Sequence, residues 1–175
     1  MPDDRQLWEQ ICHGDERAFD AFYRENSPRL EVFLRHMVGN RQVAEDLMQE
    51  TFTQMWRRPN GFHPERGTLR AYLFGIGRKR AAEWWRKREK RVECADEATV
   101  TPRIDALFSV SEAFEKLPEE QRTLLWLREV EGQSYSELAA IFEIPIGTVR
   151  SRLFATREAL RKIWRGAQKR QEEKR

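Results

Sequence analysis

Three stretches of the 175-residue chain carry side chains whose types and spacing can do chemistry. The first is Ala44-Glu45-Asp46-Leu47-Met48-Gln49-Glu50. On a helix, Asp46, Gln49 and Glu50 fall within one turn and present two carboxylates and an amide. Paired carboxylates suit acid–base catalysis, but no nucleophile, metal-ligand set or oxyanion-type loop accompanies them. A polar face that docks a basic partner helix is the simpler reading, and an ordinary exposed acidic face is equally compatible with the residues.

The second stretch is cationic. Arg78, Lys79, Arg80, Arg86, Lys87, Arg88, Lys90 and Arg91 stand against Glu83 and Glu89, with Trp84 and Trp85 between them. Cations interleaved with aromatics suit single-stranded nucleic acid, where bases stack on rings while charges follow phosphates. Trp84 continues the apolar stripe of its helix and reads as core; Trp85, one residue round, stays open. The third stretch, residues 134–166, has the layout of a helix-turn-helix: a short helix, the turn Glu143-Ile144-Pro145-Ile146, and a longer basic helix. At ~100° per residue, Val149, Leu153, Thr156, Leu160 and Trp164 share one stripe of that helix. Ser151, Phe154, Ala155, Glu158, Arg161 and Lys162 face away, flanked by Thr148 and Arg150. Between Ile146 and Arg170 eight Lys or Arg oppose one Glu. An exposed basic face of this kind neutralises phosphates and lets short polar groups reach base edges in a major groove.

Helices must position these groups, because apolar residues recur at three- and four-residue steps and no alternating strand is evident. The spacing predicts a short helix over Asp3–Cys12 closed by Gly14. A second segment runs from Asp15 to Met37, kinked or broken by Pro28 near Asn26-Ser27 and ended by Gly39-Asn40. A helix over Arg41–Arg58 carries the acidic face and stops at Pro59-Asn60-Gly61. An irregular loop leads to a long helix from about Thr68 to Lys90, in which Gly75 and Gly77 are unfavourable unless close packing requires them. Residues 92–106 are acidic, contain Pro102 and lack large apolar side chains, and so read as a flexible linker. Beyond it, Pro118-Glu119-Glu120 starts a helix that ends at Gly132. Ser134-Tyr135-Ser136-Glu137 is a capping box. The last helix runs to about Gly166, followed by a charged tail over 168–175. The expected fold is all-α: residues 1–91 and 107–167 form two small helical domains, the second a helix-turn-helix.

Composition removes other classes. No run of ~18 apolar residues exists, so no membrane insertion is expected. Met1-Pro2-Asp3-Asp4 lacks a secretory pattern. Cys12 and Cys94 make neither a disulfide framework nor a CxxC motif and read as inert thiols in a reducing cytosol. His13, His36 and His63 do not make a metal site at their spacing, so neither metal nor cofactor is expected. Gly75-Ile76-Gly77 lacks a third glycine and follows a helix, which argues against a dinucleotide-binding enzyme.

The motifs together resemble a bacterial RNA polymerase sigma factor of the extracytoplasmic-function (ECF) type. The resemblance is carried by Phe19-Asp20-Ala21-Phe22-Tyr23, by residues 44–52, by Pro64-Glu65-Arg66-Gly67-Thr68-Leu69-Arg70-Ala71-Tyr72-Leu73, by Leu117-Pro118-Glu119-Glu120-Gln121-Arg122, and by residues 144–153. It implies a non-enzymatic protein that binds core RNA polymerase through Asp46, Gln49, Glu50, Thr53 and Trp56. It implies that Phe62, His63, Arg78, Lys79, Arg80, Trp85, Arg86 and Arg88 open and hold the −10 element. It also implies that Thr148, Arg150, Ser151, Arg152, Phe154, Ala155 and Arg161 touch the double-stranded −35 element, and that an anti-sigma factor is a partner. Three positions depart from the family pattern: Lys79 replaces a common Asn, Ala155 a basic residue, and Glu143 a turn glycine. The competing reading is a stand-alone helix-turn-helix regulator, which has no need of the Asp46–Glu50 face.

Overall fold

The computed structural model describes residues 3–57, 61–92 and 110–172. Among them are eight α-helices and no strand: α1 (Asp4–Cys12), α2 (Glu16–Val38), α3 (Arg41–Arg57), α4 (Leu69–Val92), α5 (Val110–Glu115), α6 (Glu119–Glu129), α7 (Tyr135–Phe142) and α8 (Ile146–Glu172). A single 3-10 turn, Pro64–Arg66, precedes α4. Helices α1–α4 form one unit and α5–α8 the other. The expected linker over residues 92–106 lies, after Val92, outside the described residues.

In the first unit α2, α3 and α4 pack through their apolar stripes. Leu30, Phe33, Leu34, Met55, Leu69, Leu73 and Phe74 are all fully buried there. Each such side chain contributes about 1.5–3 kcal/mol on removal from water. That burial explains one departure from expectation. Pro28 does not break the chain; α2 runs unbroken through it. The local cost of ~3 kcal/mol is offset because Phe22 before it and Leu30, Phe33 and Leu34 after it are buried on the same face. Asn26, also buried, donates its Nδ2 to the Phe22 carbonyl at 2.9 Å.

Gly77 meets a close approach. A Cβ there would lie 2.9 Å from Cδ1 of Leu30, so α2 and α4 come together only over a bare backbone. In the second unit Leu124, Leu127, Leu138, Val149 and Leu153 form the core. The expected capping box is present: Ser134 Oγ accepts from the Glu137 amide, and Glu137 Oε2 accepts from the Ser134 amide at 2.7 Å. Helix α8 begins at Ile146, so the turn has three residues rather than four. It also continues to Glu172 instead of ending at Gly166, with Ala167 buried beyond that glycine. No helix of the described residues is long and apolar enough to cross a membrane.

Candidate functional site

The acidic face stands on α3. Asn40 Oδ1 accepts from the Val43 amide at 3.1 Å and caps the helix start. Ala44, Leu47, Met48, Thr51, Phe52 and Met55 anchor one side in the core, which turns Asp46, Gln49, Glu50 and Thr53 to solvent. Trp56 is 38% exposed and packs edge-on against Phe19 at 4.7 Å. The structure thus brings all five residues of the candidate polymerase surface onto one helix. Glu50 also reaches across to α4, where its Oε2 lies 3.5 Å from Arg80 Nη1. Arg80 Nε donates to Gln54 Oε1 at 2.9 Å. Gln54 is a bridging residue that the sequence reading missed.

The start of α4 is capped twice. Thr68 Oγ1 accepts from the Ala71 amide at 3.2 Å, and Asp4 Oδ2, from α1, accepts from the Leu69 amide at 2.7 Å. Farther along, Trp85 Nε1 donates to the Met37 carbonyl at 2.9 Å, which pins the indole to the end of α2. Trp84 meets it edge-on at 4.9 Å; both indoles are half-buried, and Trp84 packs against the core. The Arg88 guanidinium lies over both rings, 5.3 and 5.2 Å from their centroids. Arg86 is exposed, as is His63, whose Nδ1 lies 3.4 Å from Glu65 Oε1.

Phe62 does not join this surface. It is 6% exposed and packs against Trp8 at 5.7 Å and Tyr72 at 5.9 Å. Its role here is to fix the loop to the core, because a three-ring cluster removes more apolar area from water than an exposed ring could. Arg78, half-buried, and Lys79, exposed, are both engaged by the other unit. Arg78 Nη2 donates to the Ile141 carbonyl at 3.1 Å and its guanidinium stacks over Phe142. Burial holds its pKa below the ordinary arginine value. Lys79 Nζ donates to Glu143 Oε1 at 2.6 Å. Between the loop and α7 lies a cleft of about 310 Å³, lined in part by Gln54, His63, Tyr72, Lys79, Ile141 and Glu143.

On α8, Val149, Leu153 and Thr156 face the core, while Leu160 and Trp164 at the end of the stripe are half-buried. Phe154 is 68% exposed, and Arg150, Ser151, Ala155 and Arg161 are exposed with it; Thr148 is half-buried. Not every cation there is equally available. Arg152 is bound by Glu120 and Arg161 by Glu158. Arg157 is held by Glu129 at 2.5 Å, so Arg152 and Arg157 strap α8 to α6. Arg150 lies over the Tyr135 ring at 5.6 Å. The acidic partners on α6 carry no short-range signal in the sequence, since 32 and 28 residues separate the pairs.

An all-helical protein with a helix-turn-helix, a second cationic helix and an exposed acidic face belongs to the class of DNA-binding proteins that also dock a protein partner. The comparisons make this specific. Residues 22–91 match Sigma-70 region 2 and residues 107–160 match Sigma-70 region 4. The chain is 32% identical to the RNA polymerase sigma-H factor of Pseudomonas aeruginosa, over 91% of this chain and 92% of that protein. It is 29% identical to the ECF RNA polymerase sigma-E factor of Haemophilus influenzae, over 90% and 93%. Among solved structures it is similar to CnrH in complex with the cytosolic domain of CnrY, with a TM-score of 0.72, 26% identity and coverage of 94% and 98%. It is also similar to the sigma factor RpoE in complex with the anti-sigma factor NepR from Bartonella quintana, with a TM-score of 0.70, 28% identity and coverage of 84% and 96%. The chain belongs to the ECF sigma factors, and a stand-alone regulator is set aside.

Proposed function

We propose that this sigma factor docks on core RNA polymerase through Asp46, Gln49, Glu50, Thr53 and Trp56, and carries it to promoters. The observation that supports this surface is the exposure of all five side chains on one well-anchored helix, two of them carboxylates. A basic helix of the polymerase is the complementary partner. Residues 1–91 form the polymerase and −10 domain, 92–106 the linker and 107–167 the −35 domain.

The α4 surface takes the melted −10 strand. Trp85 and Trp84 supply stacking faces, Arg86 and Arg88 follow phosphates, and Arg78, Lys79, Arg80 and His63 line the approach, with Phe62 shaping the loop from beneath. The exposed face of α8 reads the −35 duplex. Phe154 and Ala155 suit the thymine methyl, Arg150 and Ser151 suit base edges or phosphate, and Thr148, Arg152 and Arg161 flank them. In this reading nucleotide chemistry belongs to the polymerase. The compartment is the cytoplasm. Because the solved relative RpoE binds the anti-sigma factor NepR, an anti-sigma protein is the expected regulator.

Run-off transcription with core polymerase on a genomic fragment library tests the reading and yields both promoter elements. Asp46→Lys with Glu50→Lys provides the discriminating variant. At ~2 kcal/mol or more for each of the two charges reversed, polymerase affinity falls by several hundred-fold, on the order of 700-fold, while helicity is unchanged. Unaltered affinity would remove the acidic face from the account.

A further inference from the structure

The arginines that α8 carries between positions 150 and 161 are held in different ways. Arg152 is ion-paired with Glu120, Arg157 with Glu129 and Arg161 with Glu158. A carboxylate that takes a guanidinium uses the same N–H donors that a base edge would need. Ser151 is committed too, since its hydroxyl donates to the Thr148 carbonyl at 3.0 Å. Arg150 differs from all of these. It is exposed, no carboxylate among the described residues pairs with it, and its charge is met by the Tyr135 ring, 5.6 Å from the centroid.

Tyr135 is itself firmly placed. It opens α7 directly after the Ser134 cap, where the reciprocal bonds between Ser134 and Glu137 fix its backbone. Its half-buried ring packs against the core. From α6, the Arg128 guanidinium lies over the same ring at 4.7 Å, and Arg128 Nη1 donates to the Gln133 carbonyl at 2.7 Å. Three helices therefore meet at one aromatic ring: α6 through Arg128, α7 through Tyr135 and α8 through Arg150.

An aromatic face attracts a guanidinium electrostatically and leaves its planar fork of N–H donors unspent. Holding the side chain in place beforehand also reduces the rotamer freedom lost on binding. Arg150 stands in the first two turns of α8, the part of a recognition helix that meets base edges. A fork offered there matches O6 and N7 of guanine, two adjacent acceptors that a single arginine can bridge.

We propose that Tyr135 is the positioning residue of the −35 reader: its ring holds Arg150 with both donors free, and Arg150 spends them on one guanine of the duplex. Arg152 and Arg157, tied to α6, brace the helix and leave the reading to Arg150. The proposal rests on the assignment of α8 to the −35 duplex.

The test uses the full chain bound to core polymerase and a duplex library randomised over the upstream promoter element. The sequences retained give a base preference at each position. The parent is expected to favour guanine by about tenfold or more at one position. R150K, which cannot bridge two acceptors, and Y135L, which lacks the ring, are both expected to reduce that preference to within about threefold and to leave the other positions unchanged. Y135F keeps the ring and is expected to keep the preference. Y135M accompanies Y135L as a second ring-less variant, and failure of both to fold makes the ring purely structural and overturns the proposal. An unchanged guanine preference in R150K or in the ring-less variants overturns it as well, as does an equal weakening at every position. A Y135F profile that matches Y135L places the effect in the hydroxyl and has the same consequence. A parent that selects no upstream element refutes the assignment of α8 instead, and the proposal falls with it.

Discussion

Glu131, just after α6, offers the sharpest test of the energetics where that helix end meets α2. Its side chain is 5% exposed, its Oε2 has no hydrogen-bond partner, and Arg29 stands 3.9 Å off with half of its own side chain in solvent. Burial raises the carboxyl's pKa above its ordinary 4.5, against the weaker pull of Arg29 and Arg70. A carboxylic acid whose folded pKa is raised contributes stability that is fully present below the unfolded value and is lost as pH rises through the folded one. Ionising it as pH rises therefore places an under-bonded charge at a buried site. Glu131→Gln keeps the shape and removes the charge. One buried acceptor left unpaired costs about 1–3 kcal/mol, more when charged, and the amide retains part of that cost, so the variant gains about 1 kcal/mol. For a chain of this size that is roughly 2–4 °C in Tm. Thermal unfolding of both proteins at pH 7 and pH 4 checks it: the gain is expected at pH 7 and should vanish near pH 4, where the native carboxyl is protonated. A variant that melts lower than the parent at pH 7 but not at pH 4 would show that Arg29 pairing outweighs desolvation.

Four further outcomes follow from the same structure. His36→Gln should flatten the pH dependence of stability between pH 7 and 5.5. Burial and the Arg35 charge lower the His36 pKa, with Arg122 adding to this and Glu115 opposing it. Its stabilisation is therefore present above the ordinary 6.5 and is lost as pH falls, a slope that thermal unfolding reads directly. Glu137→Ala removes half of the capping box and the Thr68 partner together, and should cost about 1–2 kcal/mol in urea unfolding. Gly77→Val should destabilise by at least about 1–3 kcal/mol, because fully buried Leu30 has no free volume to yield to a Cβ. Phe154→Ala should leave Tm within about 1 °C while weakening −35 duplex binding in a fluorescence titration, since a 68% exposed ring contributes little to the fold.

Much of the helical plan was legible because it is written in local signals. The Ser134–Glu137 capping box, the Gly39 stop and the three-and-four spacing on α2, α3 and α8 each act within a few residues, and each appears where expected. Of the kink or break expected at Pro28, the break does not occur, because the local penalty of ~3 kcal/mol is offset by the long-range burial of Leu30, Phe33 and Leu34. The end of α8 misled in the same way, through Ala167. At the site, exposure followed from periodicity for Asp46, Gln49, Glu50 and Phe154. Phe62 was misplaced because its partners, Trp8 and Tyr72, lie 54 residues before and 10 after it, and an aromatic residue in a loop carries no mark of which way it turns. Asp4 capping Leu69 is equally silent in the sequence, since 65 residues separate the two.

The departures from the family pattern become intelligible only in pairs. Lys79, where the resemblance implies an amide, and Glu143, where it implies a turn glycine, look like two unrelated costs along the chain. One puts a cation on a base-reading position and the other forces a side chain into the left-handed region. In three dimensions they form one 2.6 Å ion pair. Both side chains are largely exposed, so as a stabilising contact the pair is worth little, too little to repay the strain at Glu143. Its position is more informative: it joins the turn before α8 to α4, the two elements for which DNA contacts are proposed.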